Sequence, residues 1–148
     1  MNKLIENVRQ MYAAFGRGDV GAILEHIDAD VAWDAFPENF ANRANVPWLR
    51  SRKGRQGVAA FFEVLRPFTF NRFEVHHIMG GEDAVAAEVS VEIEHAATNL
   101  VLRDDEMHLF TFNAQGRVVR FRHFVDTAKH IDFYEKLTRD AREKESRR

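Results

Sequence analysis

Three polar side chains in the C-terminal third of the chain, Glu106, His108 and His123, sit in runs that are otherwise apolar on one face. Residues 100–112 and 117–125 alternate, and in a strand alternate side chains share a face. Glu106 and His108 thus lie with Phe110 and Phe112, and His123 lies with Phe121 and Val125. Asn113-Ala114-Gln115-Gly116 supplies turn chemistry between the runs. A four-residue loop flanked by Phe112 and Arg117 puts Phe110 opposite Val119, His108 opposite Phe121, Glu106 opposite His123 and Asp104 opposite Val125. The reading predicts Glu106 and His123 as cross-strand neighbours, with His108 one step away on the same inward face. A one-residue bulge would send His123 outward.

A buried carboxylate is costly unless paired. A glutamate facing a histidine supplies the pair and raises the imidazole pKa. Two imidazoles and a carboxylate can also move protons near neutral pH. In that reading His123 is the general acid/base, Glu106 orients and charges it, and His108 donates a hydrogen bond to a carbonyl or hydroxyl oxygen. The alternative is a structural His–Glu pair at a wet strand end. The same trio could offer three ligands to a metal, but the chain has no HxH or HExxH spacing, and neither a metal nor a cofactor is expected. Other candidates are weaker. His76 and His77 are adjacent, so at most one is expected to look inward. Glu88, Glu92 and Glu94 are expected to pair at the surface with Arg120 and Arg122. Arg50, Arg52, Lys53 and Arg55 either meet an anionic ligand at a pocket mouth or form a solvated loop.

Several elements must hold these groups. Leu4, Ile5, Val8, Met11, Tyr12 and Phe15 recur at helical spacing, so 3–15 is an amphipathic helix that Gly16 and Gly18 stop. Asp19 caps a short second helix. Residues 30–36 are a strand ended by Pro37, and 37–54 are a long irregular loop. Val58, Phe61, Phe62 and Leu65 mark another helix. The period then changes to two, giving strands over 68–79, 84–95, 100–112 and 117–125. Asp126-Thr127 caps a last helix through Ile131 and Tyr134. Helices followed by an antiparallel meander make an α+β domain, expected over 1–137, with a charged tail over 138–148 that frays.

The chain has 148 residues, enough for one domain with a sizeable core. Its 13 phenylalanines suggest a thick core or an apolar cavity. Cysteine is absent, which excludes disulfides and thiolate chemistry. A net charge of −2 offers no basic field for nucleic acid. No apolar run reaches the roughly 20 residues that span a bilayer, and the N-terminus is too polar for a signal peptide. A cytoplasmic location without a membrane partner is expected.

The order of elements resembles the SnoaL-like, nuclear transport factor 2-like superfamily over roughly residues 3–137. The stretches YAAFGRGDVGAILEHIDADVAW (12–33) and GRVVRFRHFVDTAKH (116–130) carry the resemblance. It implies a cone-shaped α+β fold, with N-terminal helices on a curved, mostly antiparallel sheet that encloses a pocket. The superfamily includes ketosteroid isomerases, limonene-epoxide hydrolases, scytalone dehydratase, polyketide cyclases and noncatalytic members, so it does not by itself imply a reaction. The isomerase base would fall on Ala35, its tyrosine on Met11 beside Tyr12, and its second donor on His108. The hydrolase aspartate would fall on His123, its tyrosine and asparagine on Trp33 and Ala35, and its Arg–Asp pair near Val89 and Val91. Neither constellation is complete. Dehydratases of this fold use paired histidines, so the resemblance favours elimination chemistry. The function expected is an isomerase, dehydratase or cyclase acting on an apolar ring-containing or polyketide-like molecule, the alternatives being a noncatalytic hydrophobic-ligand binder and a dimerisation scaffold with a filled cavity. Trp33, Phe62, Phe110, Phe121 and Val125 are expected to line the pocket, with Met11 and Tyr12. A homodimer is expected through Met107, Leu109 and Phe124 on the outer face of the sheet, as the resemblance also implies.

Overall fold

The computed structural model describes residues 2–36 and 38–148; Met1, and Pro37 as the end of the first strand, lie outside the described residues. Helix α1 (Lys3–Gly16) starts where the Asn2 side chain accepts from the Leu4 and Ile5 amides, and it buries Val8, Met11 and Ala14. Such a cap contributes about 1 kcal/mol. Asp19 caps α2 (Val20–Leu24) in the same way. Strand β1 (Ile27–Trp33) begins earlier than the sequence suggests and ends at Trp33. The segment expected as irregular loop folds into α3 (Phe40–Arg43), a 3-10 turn (Pro47–Leu49) and a short β2 (Arg52–Lys53). The turn buries Trp48 and Leu49, and that burial gives the segment its fixed course. Helix α4 (Gly54–Leu65) buries Val58 and Phe61.

Four long strands follow: β3 (Phe68–Gly80), β4 (Ala84–His95), β5 (Val101–Phe112) and β6 (Val118–Phe124). Helix α5 (Thr127–Ser146), capped by Asp126, continues through most of the charged run expected to fray. The strand order is β2-β1-β6-β5-β4-β3. Among the described residues only β1 and β6 pair in parallel; the other neighbours are antiparallel. The result is an α+β fold in which helices pack on a curved, unclosed six-stranded sheet. Its main core joins Val8, Met11, Trp33, Phe61, Phe110 and Phe121.

Bulges adjust what each strand presents. In β3 the register shifts between Val75 and His77. As a result His76 bonds Ser90 Oγ at 2.7 Å and His77 bonds Glu88 Oε1 at 2.9 Å, so both histidines look outward. The outer glutamates pair with their immediate neighbours, Glu88 with His77, Glu92 with Arg103 and Glu94 with Asn71, and not with Arg120 or Arg122. Three of the four basic loop residues serve the structure. Arg50 donates to Asn45 Oδ1, Arg52 to the Pro47 carbonyl and Arg55 to the Ile27 carbonyl.

Candidate functional site

The β5–β6 hairpin sets the site. Phe112 pairs with Val118, which leaves five residues in the turn where four were expected, and Gly116 takes its positive φ of 76° there. The register then shifts once more before Thr111 pairs with Arg120. The two single-residue offsets add to two, so side-chain parity survives. His123 stays inward, but it lies opposite His108, and Phe121 lies opposite Phe110. The expected pairing of Glu106 with His123 as directly opposed residues, and of Asp104 with Val125, is therefore corrected. The side chains still meet: His123 Nε2 is 3.4 Å from Glu106 Oε1, and His108 Nε2 is 3.2 Å from the same oxygen.

Three residues not singled out in the sequence complete the cluster. Asp34 follows β1 with a left-handed φ of 50°, a conformation that aspartate tolerates better than most residues. That turn brings its buried carboxylate inward. Oδ1 accepts from the His123 amide at 2.8 Å, and Oδ2 lies 3.3 Å from His123 Nδ1. His130 of α5 places Nε2 2.8 Å from Asp104 Oδ2 and 3.4 Å from Glu106 Oε2. On the other side of that ring, Trp48 Nε1 donates to Nδ1 at 2.9 Å. Finally, Tyr12 Oη lies 2.8 Å from His108 Nδ1.

Donor chemistry fixes most of the protons. Glu106 as a carboxylate only accepts, so His108 carries its proton on Nε2 and its Nδ1 accepts from Tyr12. Both nitrogens of His123 face carboxylates, so this ring favours the doubly protonated form. Burial works against a charge on His123, but bonds to Asp34 and Glu106 outweigh it and push its pKa up to about 10. His108 goes the other way: burial, reinforced by the positive charge of His123, lowers its pKa despite Glu106. Burial alone would raise the Glu106 pKa, yet bonds from His108, His123 and His130 hold it well below the usual carboxylate range. Burial, helped by the Glu106 charge, raises the Tyr12 pKa, so its hydroxyl keeps its proton.

The cluster ends an apolar cavity of about 90 Å³. Met11, Tyr12, Trp33, Phe62, Phe110 and Phe121 line it, together with Glu106, His108 and His123. Val125 does not. The strand stops at Phe124, and Val125 instead borders an outer groove with Phe36 and Arg122. Trp33 stacks on Phe121 with ring centroids 4.0 Å apart. Phe15, Phe62, Phe70 and Phe73 form a wall shared with a second outer groove. None of the loop residues Arg50, Arg52, Lys53 and Arg55 lines the cavity. His130 could have been found from the sequence, because it falls with Phe133 and Leu137 at i, i+3 and i+7. Asp34 could not, since its inward turn depends on a backbone angle outside the strand period.

Ligand atoms of Glu106, His108 and His123 lie within 4.8 Å of one another, as do those of Asp104, Glu106 and His130. Metal-bound histidines ordinarily donate their second N–H to an acceptor. His130 has a donor, Trp48, in that place, so the second set is poorly suited to a metal. In the first set, a metal would have to displace the protons that now pair both histidines with Glu106. Among the described residues, no helix is long and apolar enough to cross a membrane.

The pattern of the SnoaL-like domain family matches residues 8–121. No curated protein matches the chain in sequence. Similar solved structures include an NTF2-like protein of unknown function from Burkholderia pseudomallei, with 20% identity, 90% of this chain and 98% of that one covered, and a TM-score of 0.74. TerC, co-crystallised with polyporic acid, has 21% identity, coverage of 90% and 99%, and a TM-score of 0.75. A provisionally assigned polyketide cyclase from Pseudomonas putida has 20% identity, coverage of 87% and 96%, and a TM-score of 0.70. At these identities the likeness is one of fold.

Proposed function

We propose, since the chain belongs to the SnoaL-like domain family, that its cavity takes an uncharged, ring-bearing molecule and moves protons on it by general acid/base chemistry. The observation that carries this reading is the divergence of two facing histidines. Their ring centroids are 5.1 Å apart, yet the pKa of one is raised and that of the other lowered. Neighbouring groups driven apart in this way are suited to serve as acid and base. His123, as imidazolium, is the acid. His108, as neutral imidazole, is the base and not a donor to substrate. In an elimination, His108 Nδ1 takes a C–H proton as Tyr12 turns to donate to the substrate carbonyl oxygen. The electron pair forms the new double bond, and His123 protonates the departing hydroxyl, which leaves as water. Isomerisation shares the first half and ends with reprotonation at another carbon.

Charge and size narrow the substrate class. Among the groups that line the cavity, the Glu106 carboxylate and the His123 imidazolium offset one another, and no lysine or arginine lines it. An anionic ligand would find no free counter-charge there. The volume, about 90 Å³, is smaller than the roughly 150 Å³ apolar cavity that takes up benzene. A ring therefore enters only when the Phe15–Phe62–Phe70–Phe73 wall yields. Substitution of Phe62 by alanine is expected to let larger neutral rings bind, as read by ligand-induced thermal shift. The fold likeness to a provisionally assigned polyketide cyclase and to a provisionally assigned isomerase from Rhodopseudomonas palustris supports the same reaction class.

The test is solvent deuterium exchange into small cyclic ketones and dehydration of their β-hydroxy derivatives, followed by NMR. Wild type is expected to catalyse both. His123→Gln should keep binding but lose dehydration by about 10²- to 10⁴-fold. Binding without exchange or turnover in wild type would favour the second reading, a noncatalytic binder. That reading draws on the way Tyr12, His108, Glu106 and His123 already satisfy one another.

A further inference from the structure

Trp48 and His130 stand behind the acid–base pair, on elements far apart in sequence. Trp48 belongs to the 3-10 turn after α3, and His130 to the first turns of α5. His130 is 1% exposed. The groups that face it can all be named. Asp104 and Glu106 of β5 meet Nε2 at 2.8 and 3.4 Å. Trp48 meets Nδ1 at 2.9 Å. His123 of β6 acts on it as a nearby positive charge. On its own helix, Asp126 O accepts from the His130 amide, and Lys129 Nζ sits 3.7 Å from Asp104 Oδ1.

An indole N–H donates and cannot accept. The Nδ1 atom of His130 must therefore present its lone pair, and the ring proton must sit on Nε2, aimed at the two carboxylates. Burial disfavours a charge on this ring, and Asp104 and Glu106 by themselves would outweigh burial and lift its pKa; the Trp48 N–H on Nδ1 is the contact that opposes them. The second proton has only one place to go, and the Trp48 hydrogen occupies it. Charging His130 would set two N–H groups against each other in a buried site.

We propose that Trp48 is a positioning residue that locks His130 as a neutral imidazole, so that Glu106 faces a single imidazolium, that of His123. Without the lock, His130 would become a second cation against Glu106, and His123 would hold its proton less tightly. The lock also ties the site to the seating of α5, because Trp48 packs against Phe133 and Tyr134 of that helix at ring distances of 6.0 Å. Its catalytic consequence rests on the acid–base reading of His123; the protonation states of His130 and His123 do not, and the experiment reads only those states.

Nitrogen NMR of isotope-labelled imidazoles distinguishes a ring protonated on Nε2 alone from one protonated on both nitrogens. Wild-type His130 is expected to stay singly protonated on Nε2 from about pH 6 to about pH 8, the range in which histidines ordinarily titrate. Trp48→Phe keeps the aromatic ring but removes the donor. There His130 should take a second proton, and the proton affinity of His123 should fall about tenfold, the effect of a new like charge nearby. His130→Asn keeps an acceptor for Trp48 but cannot titrate, so adding Trp48→Phe to it should leave His123 unchanged. A merely structural tryptophan would shift His123 equally in both backgrounds, and that result overturns the proposal. So does a wild-type His130 that is doubly protonated at neutral pH, a measurement that needs no variant to fold.

Discussion

The two faces of the sheet carry polar pairs in different surroundings. Outside, Arg103 Nε lies 2.7 Å from Glu92 and His77 Nδ1 2.9 Å from Glu88, with the Arg103 and His77 side chains 72% and 74% exposed. Inside, His123 Nε2 is 3.4 Å from Glu106, where the side chains are 12% and 4% exposed. The shorter contacts are the weaker ones. In water, a pair competes with solvation and contributes about 0–1 kcal/mol. In the interior each member depends on the other, and removing one strands the other without solvent. Distance alone does not separate a surface decoration from a site; burial and the number of partners do.

The most severe test of that contrast is to remove one carboxylate from each face. Glu106→Gln should cost about 3–5 kcal/mol in urea unfolding, since it breaks the shared centre of three histidine contacts. Glu88→Gln should cost less than about 1 kcal/mol. Equal losses would erase the distinction. Nitrogen NMR of the Glu106→Gln protein should also show the His123 pKa falling.

Next in size is the dependence of stability on pH. The His123 pKa stands at about 10 in the folded chain against an ordinary 6.5. Its contribution is therefore complete below 6.5 and is lost as pH rises through about 10. The lowered pKa of His108 acts oppositely, weakening the fold as pH falls below 6.5. Glu106, held well below 4.5, adds a further loss as pH falls through its folded pKa. Unfolding midpoints should decline on the alkaline side in wild type, and His123→Gln should remove that decline.

The smallest expected effect on the site comes from the apolar part of the outer face. Met107 pairs with Phe124, and Leu109 lies in the adjacent row opposite Arg122; Phe124 is 45% exposed. A dimer through this face is expected at tens of micromolar, well above a typical micromolar dissociation constant. Leu109→Asp should sediment as a monomer while the His123 titration stays in place. A wild-type monomer would remove the dimer, and a displaced titration would show that the two faces are coupled.

The fold was legible in the sequence because its strands alternate cleanly and their turns carry Gly and Asn. The inward set Glu106, His108 and His123 was legible for the same reason. Their direct partners were not, since a turn longer by one residue and a bulge beyond it leave no mark in a period of two. The outward direction of both His76 and His77 was hidden by a bulge as well. Asp34 was invisible because its direction comes from a left-handed backbone, and Trp48 because its meaning depends on which nitrogen of a distant ring it touches.

The paired offsets in the β5–β6 hairpin also constrain how this chain can change in length. If the turn keeps its five residues, an insertion or deletion of one residue shifts the pairing, reverses every side chain beyond it and carries His123 into solvent. Loss of one turn residue together with the bulge restores the face. Hairpin length here behaves like a parity bit: even changes preserve the message and odd ones invert it. Homologous hairpins that retain an inward histidine and a five-residue turn should accordingly differ from this one by even numbers of residues between β5 and the histidine.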